Sequence, residues 1–384
     1  MSDKIPVSIH RCRSYDPDEV RDALSKVLDP LGGMRAFVKE GDRVLLKPNL
    51  LAPRPAESAV CTHPRVIRSA AMEVMEAGGK VFLGDSPAVG PMAVVLRRAG
   101  IMPVVKELGI EVVPFRTPVL FPVPEGGVHR SFLLAEEASR FDLILNLPKF
   151  KTHSMMVLTM AVKNMFGTVV GGAKPGWHLQ ASDPARFADM LLDIWRTLPP
   201  GLNIMDGITA MEGDGPNAGD PLDLGLVLAS PSALAMDTVG GAIAGLPAER
   251  NPVLCQAMRR GLEGAGDDQV QLLGEPLEDV SRAFVLPKSA SRMDLRFPDW
   301  INRSMRTSLN FFPRLNSEQC TSCGQCAKIC PADAITLNGK PLDGGHVDKK
   351  KCISCFCCQE TCPEKAVDIV PGRLLRVLKK VSLA

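Results

Sequence analysis

The chain has 384 residues, 45% of them apolar and 23% charged, with a formal net charge of +2. This is a globular composition, with length for one large core and a small second one. So small a net charge gathers no nucleic acid, and 5% aromatics with a single tyrosine, Tyr15, offer little to stack bases on. The opening MSDKIPVSIHRCRSYD lacks the apolar centre of a secretory signal, and no run approaches the roughly 18 apolar residues of a membrane span. A cytoplasmic setting is expected.

In chain order, β-rich runs fall at PVSIH (6–10), RVLLK (43–47), KVFLG (80–84), EVVPF (111–115), DLILN (142–146), LNIMD (202–206) and LGLVLA (224–229), with a further run near 281–286. Amphipathic stretches at 64–77, 91–107 and 184–197 lie between them. This alternation predicts an α/β fold over residues 1–290, a mostly parallel sheet with helices on both faces. In such sheets ligands bind beyond the carboxyl ends of the strands. Those ends carry Lys47 and Asn49, Asp85 and Ser86, the segment NLPKFKTH (146–153), and Asp206. Four polar exits together predict one cavity, with Lys47, Asn49, Asp85, Lys149 and Asp206 approaching a common centre.

NLPKFKTH sets Lys149, Lys151 and His153 at every second position, so an extended backbone projects all three to one side. Cations gathered away from water repel unless an anion joins them. A solvated basic loop is the plain alternative. The next stretch, SMMVLTMAVKNMFG (154–167), reads as a buried helix with Ser154 as N-cap and Gly167 as stop. Lys163 and Asn164 would lie in its last turn. The glycine-rich loop that follows holds Lys174 and His178, but in no nucleotide-binding spacing.

Residues 291–315 are basic and aromatic, with Ile301, Met305, Leu309 and Phe312 at helical spacing. A linker helix packed between domains is expected, in preference to a membrane-surface helix. Twelve cysteines follow an uneven distribution, with nine between 320 and 362. CTSCGQCAKICP and CISCFCCQETCP each contain C-x2-C-x2-C-x3-C-P, in which the fourth Cys of one run ligates the other run's cluster. Cys320, Cys323, Cys326 and Cys362 are assigned to one 4Fe–4S cluster, and Cys352, Cys355, Cys358 and Cys330 to a second. Zinc is the rival metal for C-x2-C spacing alone. Cys357 is a spare thiol beside the second set. A small α+β ferredoxin-like domain, with a basic tail, is expected over residues 316–384.

The motifs VLLKPNL, THPRVI, GDSP, NLPKFKTH, AVKNMFG and K-x-x-W-H resemble domain-of-unknown-function family 362 over nearly the whole chain. Members of that family often carry this ferredoxin tail, so the resemblance implies an iron–sulfur protein and redox chemistry without a substrate. The α/β part is reminiscent, more weakly, of lactate racemases. The reading favoured by the residues is a reductase, fed by an external low-potential electron donor and acting on a small anionic conjugated substrate. Lys149, Lys151, Lys163 and Lys174 would hold the anion, and His153 or His178 would supply protons. An electron carrier or scaffold, and a racemase or lyase with structural clusters, are the alternatives.

Overall fold

The computed structural model describes residues 4–291 and 310–375. The strands are β1 (Ile5–Arg11), β2 (Arg43–Pro48), β3 (Lys80–Asp85), β4 (Glu111–Pro114), β5 (Pro118–Pro122), β6 (Ser131–Ala135), β7 (Leu143–Leu147), β8 (Lys149–His153), β9 (Val157–Thr159), β10 (Leu202–Glu212), β11 (Asp220–Ser230), β12 (Val270–Gly274), β13 (Phe311–Leu315), β14 (Ile335–Leu337), β15 (Gly345–Val347) and β16 (Val367–Pro371). The α-helices are α1 (Pro17–Leu28), α2 (Pro64–Glu76), α3 (Met92–Arg98), α4 (Met102–Glu107), α5 (Ala161–Asn164), α6 (Ala173–Gln180), α7 (Pro184–Thr197), α8 (Ala233–Ile243), α9 (Pro252–Arg259), α10 (Leu277–Val280), α11 (Gln325–Ile329) and α12 (Cys357–Thr361). Among the described residues no helix is long and apolar enough to cross a membrane.

The large sheet runs in the order β12-β1-β11-β10-β7-β2-β3-β4, with β8 and β9 attached beside β10. It is mostly parallel, and only β11 and β9 run against their neighbours. Alternation along the strands sends side chains to two apolar layers. Val44 and Leu46 join the core with α1 and α2, whereas Leu45 joins the core with α7, α8 and α9. Ile204 and Met205 divide in the same way. Helix starts are pinned by side chains: Asp16 caps α1, His63 caps α2, Asp183 caps α7, Ser232 caps α8 and Asn251 caps α9.

Several expected elements differ. The stretch 91–107 is two helices, broken where Gly100 turns at φ 70° and Pro103 follows. The run near 281–286 is not a strand, because Arg282 and Phe284 donate to Ile243 and Ala244 at the end of α8. The edge strand is instead β12, parallel to β1.

The buried helix expected over 154–167 is mostly a hairpin. His153 pairs with Val157, which sits at φ 63°, a left-handed conformation unfavourable for a β-branched residue. Only Ala161–Asn164 is α-helical, its first N–H groups held by the buried Asp237 at 2.7 and 3.1 Å.

The C-terminal module pairs β13 with β16 and β14 with β15, both antiparallel, with α11 and α12 between. Phe311–Leu315, expected in the linker, therefore belongs to this module's sheet. The remainder of the expected linker helix, and the basic tail, lie outside the described residues.

Candidate functional site

Where β2 and β3 end, a cavity of about 280 Å3 opens against α5, α6 and the second cysteine run. The β3 exit provides Asp85, which accepts from Lys47 at 3.1 Å, Leu50 N at 3.1 Å and Ser86 N at 2.9 Å. Lys47 lies behind Asp85, away from the cavity, and burial holds its ammonium below the ordinary value against the pull of Asp85. A methyl group at Gly167 would collide with both partners, so glycine alone fits there.

Four asparagine carboxamides lock the strand exits together. Asn49 donates to Asn164 (3.1 Å), Asn164 to Asn146 (2.7 Å), Asn146 to Asn203 (2.9 Å) and Asn203 to the Ser230 carbonyl (3.1 Å). A backbone carbonyl only accepts, so the direction of the whole chain is set at Ser230. Asn164 also donates to Lys47 O and Asn146 to Ala161 O, which enforces the same direction.

Lys174 reaches over the cavity to the Ser86 carbonyl, and burial pushes its ammonium down to about 8. Ser86 Oγ in turn accepts from Gly171 N at 3.0 Å, which fixes the glycine loop. His178 stacks on Phe187 at 4.4 Å with Phe166 edge-on, and burial and then Lys163 push it down to about 3. It is neutral at physiological pH. Lys163 projects from α5 with no hydrogen bond or ion pair among the described residues. Burial lowers its ammonium, while Glu360 and Cys357 raise it.

Asn49, Asp85, Ser86, Lys163, Asn164, Lys174 and His178 thus border the cavity, whereas Lys47, Lys149, Lys151, His153 and Asp206 do not. The expected convergence on one centre fails for Lys149 and Asp206. Strand β8 carries on past the end of β7 and pairs with β10, setting Lys149 opposite Asp206 inside the sheet. There Lys149 donates to Asp206 (2.8 Å) and Tyr15 (2.7 Å), and Tyr15 stacks on His63. Lys151 donates to the Val60 carbonyl at 2.7 Å. His153 Nδ1 accepts from Met155 N and Met156 N, so its proton lies on Nε2, 3.2 Å from Glu360. Burial, Lys163 and His178 hold His153 well below the ordinary histidine value.

Sequence reasoning missed Glu360. It lies in the x3 spacer of the second cysteine run, where the first run has Ala-Lys-Ile and the second Gln-Glu-Thr. A carboxylate beside cluster ligands was the available signal. Burial raises its carboxyl, opposed by Lys163 and Lys151. Its neighbours weld the module to the sheet: Gln359 accepts from Ser154 Oγ at 2.7 Å and Asn217 donates to Glu360 O at 2.8 Å. Arg54, from the loop after β2, donates to Cys362 O at 2.9 Å and Asn217 at 3.0 Å.

The module's cysteines ring two small cavities. Cys320, Cys323, Cys326 and Cys362 border one, and Cys330, Cys352, Cys355 and Cys358 the other. Among the described residues no three His, Cys, Asp or Glu side chains are placed to hold a single metal ion. The donor sets fit 4Fe–4S clusters, since each has four thiols and inward N–H groups. Ser322 N, Ala334 N and Ala366 N point at Cys320, Cys330 and Cys362 sulfurs at 3.4, 3.3 and 3.2 Å.

The two runs share a backbone pattern, with positive φ at Ser322 and Ser354, Gly324 and Phe356, Asp333 and Lys365. Burial pushes Cys326 up to about 11 and raises Cys352, Cys358 and Cys362, so loading iron displaces protons. Cys357 borders both the second nest and the large cavity.

An α/β sheet with a cavity at its strand exits, joined to a 4Fe–4S module of ferredoxin type, defines an iron–sulfur electron-transfer protein. The chain belongs to the domain-of-unknown-function family DUF362, whose profile matches residues 44–242, while a 4Fe-4S dicluster domain matches residues 312–363. It is 39% identical over 308 residues to the thylakoid-associated protein sll1697 of Synechocystis sp., across 80% of this chain and 94% of that protein. The lactate racemase apoprotein from Thermoanaerobacterium thermosaccharolyticum superposes with a TM-score of 0.40 at 10% identity, over 64% of this chain and 58% of that one. That likeness is too distant to bear on function.

Proposed function

We propose that the protein is a cytoplasmic reductase that passes electrons from its C-terminal module to a small anionic, conjugated molecule held in the cavity. The observation that carries this reading is Cys357, which adjoins the second cysteine nest and also forms part of the cavity wall. One 4Fe–4S cluster in each nest, two per chain, supplies single electrons. An external low-potential donor meets the module at its solvent side, where Cys323 is exposed. Two such electrons and two protons convert one C=C bond to CH–CH.

Lys163 holds the anionic group and offsets charge that builds on it. Lys174, held near 8, is a better proton source at neutral pH than His178, held near 3. His153 does not reach the cavity, and its Nε2 lies 3.2 Å from Glu360, which does.

Anaerobically purified protein should contain about eight irons per chain. Reduced with dithionite and mixed with a metabolite extract, it should consume a species that mass spectrometry identifies. Lys163→Met should abolish that consumption while leaving iron content and dye reduction unchanged. Dye reduction with nothing consumed would make the protein an electron carrier. Consumption without reductant would make it a racemase or lyase.

A further inference from the structure

We infer that the cavity seats a single carboxylate, so that its ligand is a monocarboxylic acid rather than a phosphate ester or a dicarboxylate. The inference deepens the reductase reading by naming the acid group of its substrate, and rests on that reading for the word substrate alone.

The first support is charge balance. Lys47, Lys163 and Lys174 stand in and behind the wall, against Asp85 and Glu360. Lys47 is taken by Asp85 at 3.1 Å, and Lys174 hydrogen-bonds the Ser86 carbonyl. Lys163 is left as the cation with no hydrogen bond or ion pair among the described residues. Of the lysines that line the cavity among the described residues, Lys174 is thus held and Lys163 is not, so the wall offers a ligand a single unanswered positive charge. A monoanion cancels it and receives a charge-assisted hydrogen bond from Lys163. The second charge of a dianion would meet Asp85 or Glu360, with Lys174 already held at the Ser86 carbonyl, a costly arrangement away from water.

The second support is the state of the backbone donors. Phosphate sites are built from free N–H groups at a helix start or a glycine loop. Here Gly171 N is taken by Ser86 Oγ at 3.0 Å, Ala173 N by Val170 O at 3.3 Å and Lys174 N by Gly171 O at 3.4 Å. The first N–H groups of α5 are taken by Asp237. Asn49, the carboxamide on the wall, has its NH2 directed at Asn164 by the chain of amides behind it. A phosphate finds few of the donors it needs, whereas a carboxylate needs little beyond Lys163.

Titration calorimetry on the anaerobic, iron-loaded protein tests this with acetate, acrylate and benzoate against phenyl phosphate and isophthalate. At least one monocarboxylate should bind, with phenyl phosphate and isophthalate weaker by about tenfold or more. Lys163→Met should weaken the bound monocarboxylate by a similar factor, and Lys163→Arg should retain it, both with unchanged iron content. Phenyl phosphate or isophthalate binding as tightly as the best monocarboxylate would overturn the inference, as would no binding by any of the three. These comparisons on the unaltered protein decide the matter even if the Lys163 variants fail to fold. Binding requires no turnover, so a protein that binds these acids yet consumes nothing retires the reductase reading and leaves the carboxylate seat in place.

Discussion

Lys151 is buried to 1% exposure with the Val60 carbonyl as its hydrogen-bond partner, and burial pushes its ammonium down to about 7 from 10.5. Between those values the unfolded chain binds a proton that the native protein does not, so native stability rises with pH across that window. Below about 7 both states are protonated and the native one carries a buried charge at full cost. Lys151→Met should therefore stabilise most near pH 6, by a few kcal/mol, since each tenfold change in proton affinity is worth about 1.4 kcal/mol. The gain should shrink toward pH 10. Thermal midpoints of both anaerobic proteins across that range check it. A difference that stays constant with pH would refute the argument. The spacing of Lys149, Lys151 and His153 was legible in the sequence because extended geometry is local. Their surroundings were not, because Asp206, Val60 and Glu360 arrive from elsewhere in the chain.

Elements with one polar face were readable: α7 occupies Pro184–Thr197, the stretch expected from its periodicity. The run from Ser154 to Gly167 was not, since an apolar stretch buried on all sides has no period to distinguish strand from helix. Its hairpin is set by pairing with β8, and its short helix by the distant Asp237. The duplicated cysteine runs show a subtler asymmetry. Gly324 takes a positive φ freely in the first run, whereas Phe356 is held at φ 64° in the second, buried to 1%. A phenylalanine there costs about 1–2 kcal/mol in conformation. Its ring offsets this by joining the same apolar core as Phe150 and Met156. Phe356→Gly should relieve the strain but lose more packing, a net destabilisation of about 2 kcal/mol. Anaerobic thermal unfolding of the variant measures this, and a gain in stability would show that the ring does not anchor the module.

At the scale of the molecule, the sheet and the grouping of cysteines could be read from sequence because both rest on short-range patterns. The cavity could not, because one wall, with Cys357, Glu360 and Thr361, comes from the module some 200 residues after the lysines it faces. Docking, and not either part alone, makes the site. Phe311, Phe356, Ile369 and Leu375 share the core of the α/β part, so the module is no tethered passenger.

The loop after β2 gives this union a thermodynamic consequence. Its Asn49, Leu50 and Leu51 touch the cavity, and a few residues on Arg54 grips the carbonyl of Cys362. One short segment thus answers to both the ligand and the second cysteine run. Linkage then works in both directions: whatever factor reduction applies to ligand affinity, ligand must apply to the reduction equilibrium. A tenfold preference of a bound acid for one oxidation state appears as a displacement of about 59 mV in a one-electron potential. Redox titrations with and without a saturating carboxylate should show such a displacement, and Arg54→Met should diminish it. Equal potentials with and without the acid would mean that the two halves share a wall but exchange no free energy across it.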